Sequence, residues 1–349
     1  MGGKKKSNKK NHKSKVIYVV LAIILLLAAG AWYLYGRPQV VVGEDGVSLV
    51  QEGTQATEPE ETHRSHRTHS PQQESSNPAL DEGHAENSPL YFGNPSDSIN
   101  DTAAVKNYLM EKPQFTLSYN SETLNPNWVA WHLCRDDLGE ADRADTFRPD
   151  PELPNDWYAV RKQDYKFPAY GFDRGHICPS ADRTANTEDN SMTFLMTNMV
   201  PQAPDNNRIV WVALEKYERE VVLQGKEAYI FAGPYGKGGT GDKGYFEEIP
   251  VTLKDGTGLS IIVPSHTWKI ILFMPEGEDD FERVARADEV EVLAVCVPNE
   301  KGCGKNGSWQ QYLCSVNYIE EITGYDFFEL LEDEVEEALE SKVMTELIQ

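Results

Sequence analysis

The sequence predicts an α+β fold in which helices flank a central, mostly antiparallel sheet. Three observations predict it. Short apolar, β-branched and aromatic runs bounded by turn residues recur after residue 101. Two longer stretches carry helical periodicity. The two kinds of segment follow one another in mixed order, without the regular βα alternation that produces a parallel sheet. The expected strands are "WVAWHL" at 128–133, "AYIFAG" at 228–233, "SIIVPS" at 260–265, "WKIILF" at 268–273 and "EVLAVCV" at 291–297. The expected helices are 206–224 and 316–331, and no internal repeat is present.

Two segments precede this region. Residues 1–15, MGGKKKSNKKNHKSK, hold seven lysines and no acid, and residues 16–36 carry no charge. About 20 apolar helical residues span the roughly 30 Å hydrocarbon core of a membrane. The flanking lysines predict a cytoplasmic N-terminus, and Trp32, Tyr33 and Tyr35 suit the far interface. The expectation is one N-terminal transmembrane helix. Ala29-Gly30-Ala31 supports the competing reading, a cleaved signal peptide. Either reading sends the remainder out of the cytoplasm, to the periplasmic side of a bacterial inner membrane or, if the leader is cleaved, into secretion. A mitochondrial placement fits the Lys-rich, Arg-free leader less well.

Residues 37–100 are rich in Ser, Thr, Pro, Glu and His, and read as a flexible polar linker. His63, His66 and His69 recur every third residue there. A solvated tract explains them more simply than loose metal binding. Residues 101–332 form the expected folded domain, and 333–349 an acidic tail that is either an amphipathic helix or frayed.

The formal charge of −23 on 349 residues argues against a general nucleic-acid binder with a basic surface. The acid is unevenly placed, however. Residues 276–349 hold twenty acidic against five basic residues, and 128–220 hold seventeen against eleven. A locally cationic groove in the middle of the chain is compatible with these counts. The five cysteines, Cys134, Cys178, Cys296, Cys303 and Cys314, include no C-x-x-C pair, which disfavours a structural zinc site. One or two disulfides would suit an oxidising compartment.

Of the histidines beyond residue 100, His132 and His266 sit in strand-like runs and read as structural. His176 differs, because it ends the cluster Asp173-Arg174-Gly175-His176 after the turn "YGF". A neutral imidazole is the natural general base near neutral pH. Downstream, "NSMTFLMTNMVPQAPDNNRIVWVALEKYERE" runs through Pro201, Pro204 and Asp205 into a helix. Asn207, Trp211, Glu215 and Arg219 follow at four-residue steps of about 40° each, one broad helical face. An amide oxygen, a carboxylate and a guanidinium in one stripe suit a hard cation such as Mg²⁺ and a phosphate. The competing reading is an ordinary i,i+4 pair between Glu215 and Arg219.

Together these segments resemble the DNA/RNA non-specific endonuclease family, the ββα-metal (His-Me finger) nucleases. The family's D-R-G-H signature stands as Asp173-Arg174-Gly175-His176. Its second block stands as Asn198, Pro201, Gln202, Asn207, Trp211, Glu215 and Arg219. The likeness runs from roughly 115 to 330, with Thr197 where the family more often has Ser.

The resemblance implies a nuclease fold and a Mg²⁺-dependent endonuclease, with Mn²⁺ as a substitute ion. DNA and RNA would be held by their phosphate backbones and left with 5′-phosphate ends. His176 would be the general base and Asn207 the direct metal ligand, with Glu215 holding a water of the ion. Arg219 would brace the scissile phosphate, and Arg174, supported by Asp173, would contact phosphate or organise the site. Arg143 in "RADTFRPDP" best matches a further family arginine. Asn206 leaves the ligand position ambiguous by one residue, although the spacing to Glu215 favours Asn207. Cys178 lies two residues after the base, where its oxidation state would bear on activity. The second function reading is a non-catalytic surface binding or adhesion module on the same fold. The oligomeric state is open, a homodimer included.

Overall fold

The computed structural model describes residues 39–43, 46–50, 84–252, 256, 258–286, 290–305 and 308–348. The chain divides into two compact units, 1–71 and 72–349. In the first, the described residues form an antiparallel pair, β1 (Gln39–Gly43) and β2 (Gly46–Val50). These two strands fall within the stretch read as a linker. The expected membrane helix at 16–36 lies outside the described residues. Among the described residues, no helix is long and apolar enough to cross a membrane.

The second unit opens with β3 (Tyr108–Lys112), β4 (Phe115–Asn120) and β5 (Asn125–Leu133). After the short helix α1 (Phe167–Tyr170) come β6 (Asp173–His176), α2 (Thr187–Met192) and β7 (Met199–Gln202). A π-helical turn, Asn206–Trp211, then runs straight into α3 (Val212–Val222). The strands β8 (Lys226–Tyr235), β9 (Gly239–Gly241), β10 (Gly244–Phe246), β11 (Glu248–Thr252), β12 (Gly258–Ile262) and β13 (His266–Pro275) follow. The unit closes with α4 (Asp280–Ala285), β14 (Glu291–Pro298), β15 (Leu313–Cys314), α5 (Val316–Thr323) and α6 (Asp333–Glu340).

Seven strands form one sheet in the order β15-β14-β13-β8-β5-β4-β3. Every neighbouring pair is antiparallel, as the sequence predicts. Side chains alternate across the sheet. One face presents Trp131, Ile230, Ile271 and Leu293 to Trp211, Leu214, Val221 and Val222 of the helical segment. The other presents Trp128, Phe231, Trp268 and Ile270 to Val316 and Ile319 of α5 and Leu339 of α6. Burial on both faces explains why runs such as "AYIFAG" and "WKIILF" are continuously apolar.

The folded unit takes in residues at both margins. Leu90, Tyr91 and Phe92, inside the stretch read as linker, are buried against the second face. In the acidic tail, α6 is an amphipathic helix anchored by buried Leu339. A fully buried leucine contributes about 1.5–3 kcal/mol, which holds an eight-residue helix too short to persist alone.

The helix expected over 316–331 stops at Thr323. Gly324 takes φ +75° and donates its N–H to Glu320 O, a left-handed cap that ends the helix. The chain beyond it turns to bury Phe327 and Phe328.

A fully buried ion pair ties α3 to the sheet. Lys269 Nζ on β13 lies 2.8 Å from Glu218 Oε2, and over the rings of Trp131 and Trp211 at 5.2 and 5.0 Å. Removing one partner of such a pair strands a buried charge. Lys269→Met is therefore expected to lower unfolding free energy by about 3–5 kcal/mol, measured by urea denaturation. The double variant Lys269→Met/Glu218→Leu should recover most of that loss. A single variant within 1 kcal/mol of wild type on the same scale would contradict the pairing.

Candidate active site

Strands β6 and β7 form a separate two-stranded antiparallel ribbon that pairs Asp173 with Gln202, Gly175 with Val200 and His176 with Met199. The ribbon followed by the π-turn and α3 is a ββα unit carrying both sequence blocks. Its glycine has a steric cause. A Cβ on Gly175 would sit 2.0 Å from Gln202 Oε1 and 2.6 Å from Gln202 Cβ, so only glycine lets that side chain cross the ribbon. Gln202 Nε2 donates to Asn206 Oδ1 at 2.6 Å. Asn206 Nδ2 in turn donates to Thr267 Oγ1 and Pro298 O. The buried Asn206 amide is thus taken up in anchoring the helix start.

Between the two strands, the chain leaving His176 is clamped by Asn198. Its Oδ1 accepts from Cys178 N at 2.9 Å, and its Nδ2 donates to Cys178 O and Thr193 O. Cys178 is buried and burial pushes its thiol well up, which keeps it protonated. All five cysteines are free in the structure, which holds no disulfide among them.

His176 is only 8% exposed and stands edge-on to Phe194, with ring centroids 4.7 Å apart, and near Phe147 at 5.6 Å. Its Nε2 makes no hydrogen bond among the described residues. Two guanidiniums lie on the same aromatic rings: Arg143 over Phe194 at 4.8 Å and Arg174 over Phe147 at 4.5 Å. Arg143 is further held by Asp145 Oδ1 and Ser180 Oγ. Burial, and then the charges of Arg143 and Arg174, push the imidazole down to about 3. His176 is therefore neutral across the physiological range, with a lone pair to accept a proton.

Asp173 organises the other half of the site. It accepts from Asn207 Nδ2 at 2.9 Å, and from Arg208 as a two-pronged fork at 2.8 and 2.6 Å. The bond to Nδ2 fixes the amide so that Asn207 Oδ1 remains an acceptor for a cation. A cavity of about 350 Å³ opens beside this cluster, lined by Phe167, Pro168, Phe172, Asp173, Arg174 and Arg208.

The regular stripe expected from Asn207 to Arg219 is corrected by the π-turn. Asn206 and Asn207 are drawn to different partners, and the wider turn accommodates both. Trp211 is core and fully buried. Glu215 is 8% exposed, and its carboxylate makes no hydrogen bond or ion pair among the described residues. Burial pushes it up to about 7 against the opposing pull of Lys269, Arg219 and Arg143. Glu215 and Arg219 do not pair with each other. Arg219 Nη1 instead donates to buried Asp182 Oδ1 at 2.7 Å, while Asp182 Oδ2 accepts from Trp131 Nε1.

The charge of Arg143 bears on both the His176 imidazole and the buried Glu215 carboxyl, lowering the proton affinity of each. The structure thus gathers His176, Arg143, Arg174, Glu215 and Arg219 around the loop after β6, and joins Asn207 to them through Asp173. Phe147, Phe194, Asp182 and Arg208 were not foreseen. Arg208 alone had a signal, its position directly after Asn207.

Comparison with known proteins shows what the chain as a whole is similar to. A family model described as DNA/RNA non-specific endonuclease matches residues 94–334. A nuclease of Nostoc sp. is 44% identical over 254 residues, covering 73% of this chain and 85% of its own length. The mitochondrial nuclease EXOG of Mus musculus is 30% identical over 227 residues. That match covers 62% of this chain and 55% of the mouse protein, so the chain spans about half its length. A chain from a crystal structure of the EndoG/EndoGI complex superposes with a TM-score of 0.53 at 20% identity. The superposition covers 70% of this chain and 91% of that one, a likeness of fold.

The shifts at His176 and Glu215 act on stability in opposite directions. His176 binds its proton less tightly when folded, so the stability it contributes is complete above about 6.5 and lost as pH falls toward about 3. Glu215 binds its proton more tightly when folded, so stability is lost as pH rises from the ordinary carboxylate range through about 7. Urea denaturation from pH 7 to pH 4 should show wild type losing stability more steeply than His176→Gln. Parallel curves for the two proteins would refute the burial of a neutral imidazole.

Proposed function

This chain belongs to the DNA/RNA non-specific endonuclease family, and on that premise we propose that it is a Mg²⁺-dependent endonuclease cleaving DNA and RNA without sequence preference. The observation that carries the reading is His176, neutral, with Nε2 unpartnered, between two arginines and in the same field as Glu215. A non-catalytic binding module has no use for a buried base kept free of hydrogen bonds.

The residues fit a hard divalent ion. Asn207 offers Oδ1 as a neutral oxygen ligand, and Glu215 offers a carboxylate with no protein partner to the ion's water shell. Bound there, Mg²⁺ would supply charge neutralisation to the phosphate and the departing 3′ oxygen. His176 Nε2 takes the proton of the attacking water. Arg143 and Arg174 face the incoming phosphodiester, and its negative charge offsets the two cations that hold the imidazole down. Substrate binding therefore raises the basicity of His176 as the reaction begins. Arg219, braced by Asp182, keeps its remaining N–H groups for phosphate.

Contacts of this kind address the backbone, which accounts for tolerance of both sugars. The products carry 5′-phosphate and 3′-hydroxyl ends. We place the domain outside the cytoplasm, tethered by residues 16–36 or released if that leader is cleaved, on the strength of the lysine-flanked apolar run.

The test is digestion of supercoiled plasmid and of RNA by the full-length protein. Mg²⁺ should support cleavage of both, and EDTA should abolish it. His176→Ala is expected to lower kcat by about 10²–10⁴-fold, and Asn207→Ala to remove the Mg²⁺ response. Cleavage that survives both EDTA and His176→Ala would overturn the assignment.

A further inference from the structure

A second cluster of metal-ligand side chains lies where β5 leaves the sheet. A ring nitrogen of His132, the sulfur of Cys134 and a carboxylate oxygen of Asp137 lie within 4.8 Å of one another. His132 is near the end of β5, and Arg135–Asp137 form a single 3₁₀ turn after Cys134. Asp137 Oδ2 accepts the Cys134 backbone N–H at 2.9 Å, which folds the carboxylate back alongside the sulfur.

The histidine is oriented from behind. His132 Nε2 lies 3.0 Å from Glu227 Oε2 on the neighbouring strand β8. Glu227 is itself held by Arg283 Nη2 at 2.6 Å and by Gly277 N at 3.0 Å. A carboxylate so placed takes the protonated Nε2 and leaves Nδ1 with the free lone pair. Metal-binding histidines are oriented in this way, through a carboxylate on the other ring nitrogen.

We propose that His132, Cys134 and Asp137 bind a single zinc-type transition-metal ion, with Glu227 positioning the histidine. Imidazole nitrogen, thiolate sulfur and carboxylate oxygen are the three donor types that Zn²⁺ accepts. The thiolate discriminates against Mg²⁺, which takes oxygen ligands. On binding, the Cys134 thiol releases its proton to solvent, and the thiolate and carboxylate together balance the charge of the ion. Arg183 Nη1, 3.4 Å from Asp137 Oδ1, and the Cys134 N–H on Oδ2 occupy two of the carboxylate's roughly four lone-pair positions and leave the other two for an ion. Cys134 and Asp137 are partly exposed and admit an ion from solvent, while buried His132 closes the inner side. Three protein donors leave the fourth position to water.

The site shares no residue with the Asp173–Asn207 cluster. Its place gives it a consequence for that cluster all the same. Asp137 begins the segment that carries Arg143 and Phe147, and its carbonyl accepts from Thr184 N and Ala185 N in the loop after His176. An ion here fixes the root of both loops.

The test uses the full-length protein, stripped of metal and titrated with Co²⁺ as a coloured stand-in, then with Zn²⁺ against a chromophoric chelator. Wild type should bind one equivalent of Co²⁺ with a thiolate-to-metal charge-transfer band that Zn²⁺ abolishes. Cys134→Ser should lose the band, and Glu227→Gln should keep it while weakening Zn²⁺ affinity about 10- to 100-fold. Cys296→Ser should match wild type. Thermal melts of the metal-free proteins identify any variant that fails to fold, and Asp137→Asn, expected to bind Zn²⁺ at least about tenfold more weakly, then replaces it. No band in wild type, or a band that survives Cys134→Ser in a folded protein, would overturn the proposal.

Discussion

The carboxylate of Asp173 holds the two halves of the site together. It stands at the start of the ribbon that ends in His176, and binds Asn207 and Arg208 at the start of the helical segment. Ribbon register fixes the imidazole, and the helix fixes Glu215 and Arg219. Asp173 joins the two. The fork to Arg208 is charge-assisted and two-pronged, a strong class of hydrogen bond with a defined direction. Without it, the orientation of the Asn207 amide would depend on solvent alone.

Around that tie the protein resolves a conflict of charge. The chain is acidic overall, yet the groups nearest His176 are cationic. The arginines are spent on aromatic faces and fixed oxygens, Arg143 on Phe194 and Ser180, Arg174 on Phe147, and Arg219 on Asp182. On the proposed function, arginines fixed in this way would be in place before a phosphate arrives, and stabilising it would cost little reorganisation. Beneath them the Lys269–Glu218 pair secures α3 to the sheet.

Much of this was legible in the sequence because the signals were local. Runs such as "WKIILF" read as strands, and the D-R-G-H cluster with its downstream block carried the resemblance to the family that the comparisons show. Gly175 is needed for a reason that sequence does not state, the side chain of Gln202 crossing the ribbon. What failed to show depends on tertiary partners. Nothing in the spacing of Asn207 and Trp211 reveals a π-turn, because its cause is two neighbouring amides drawn to Thr267 and Asp173. Glu215 and Arg219 look like a surface pair until Asp182, 37 residues before Arg219, claims the guanidinium. Phe147 and Phe194 carry no local signal that sets them beside His176, and Leu90–Phe92 sit in a polar context.

The most direct measurement is the Mg²⁺ concentration that gives half-maximal plasmid cleavage by the full-length protein and by Asp173→Ala. If Asp173 presents Asn207 to the ion, that concentration rises at least about tenfold in the variant, while metal-free plasmid affinity stays close to that of wild type. An unchanged Mg²⁺ requirement in a folded Asp173→Ala protein would contradict the account.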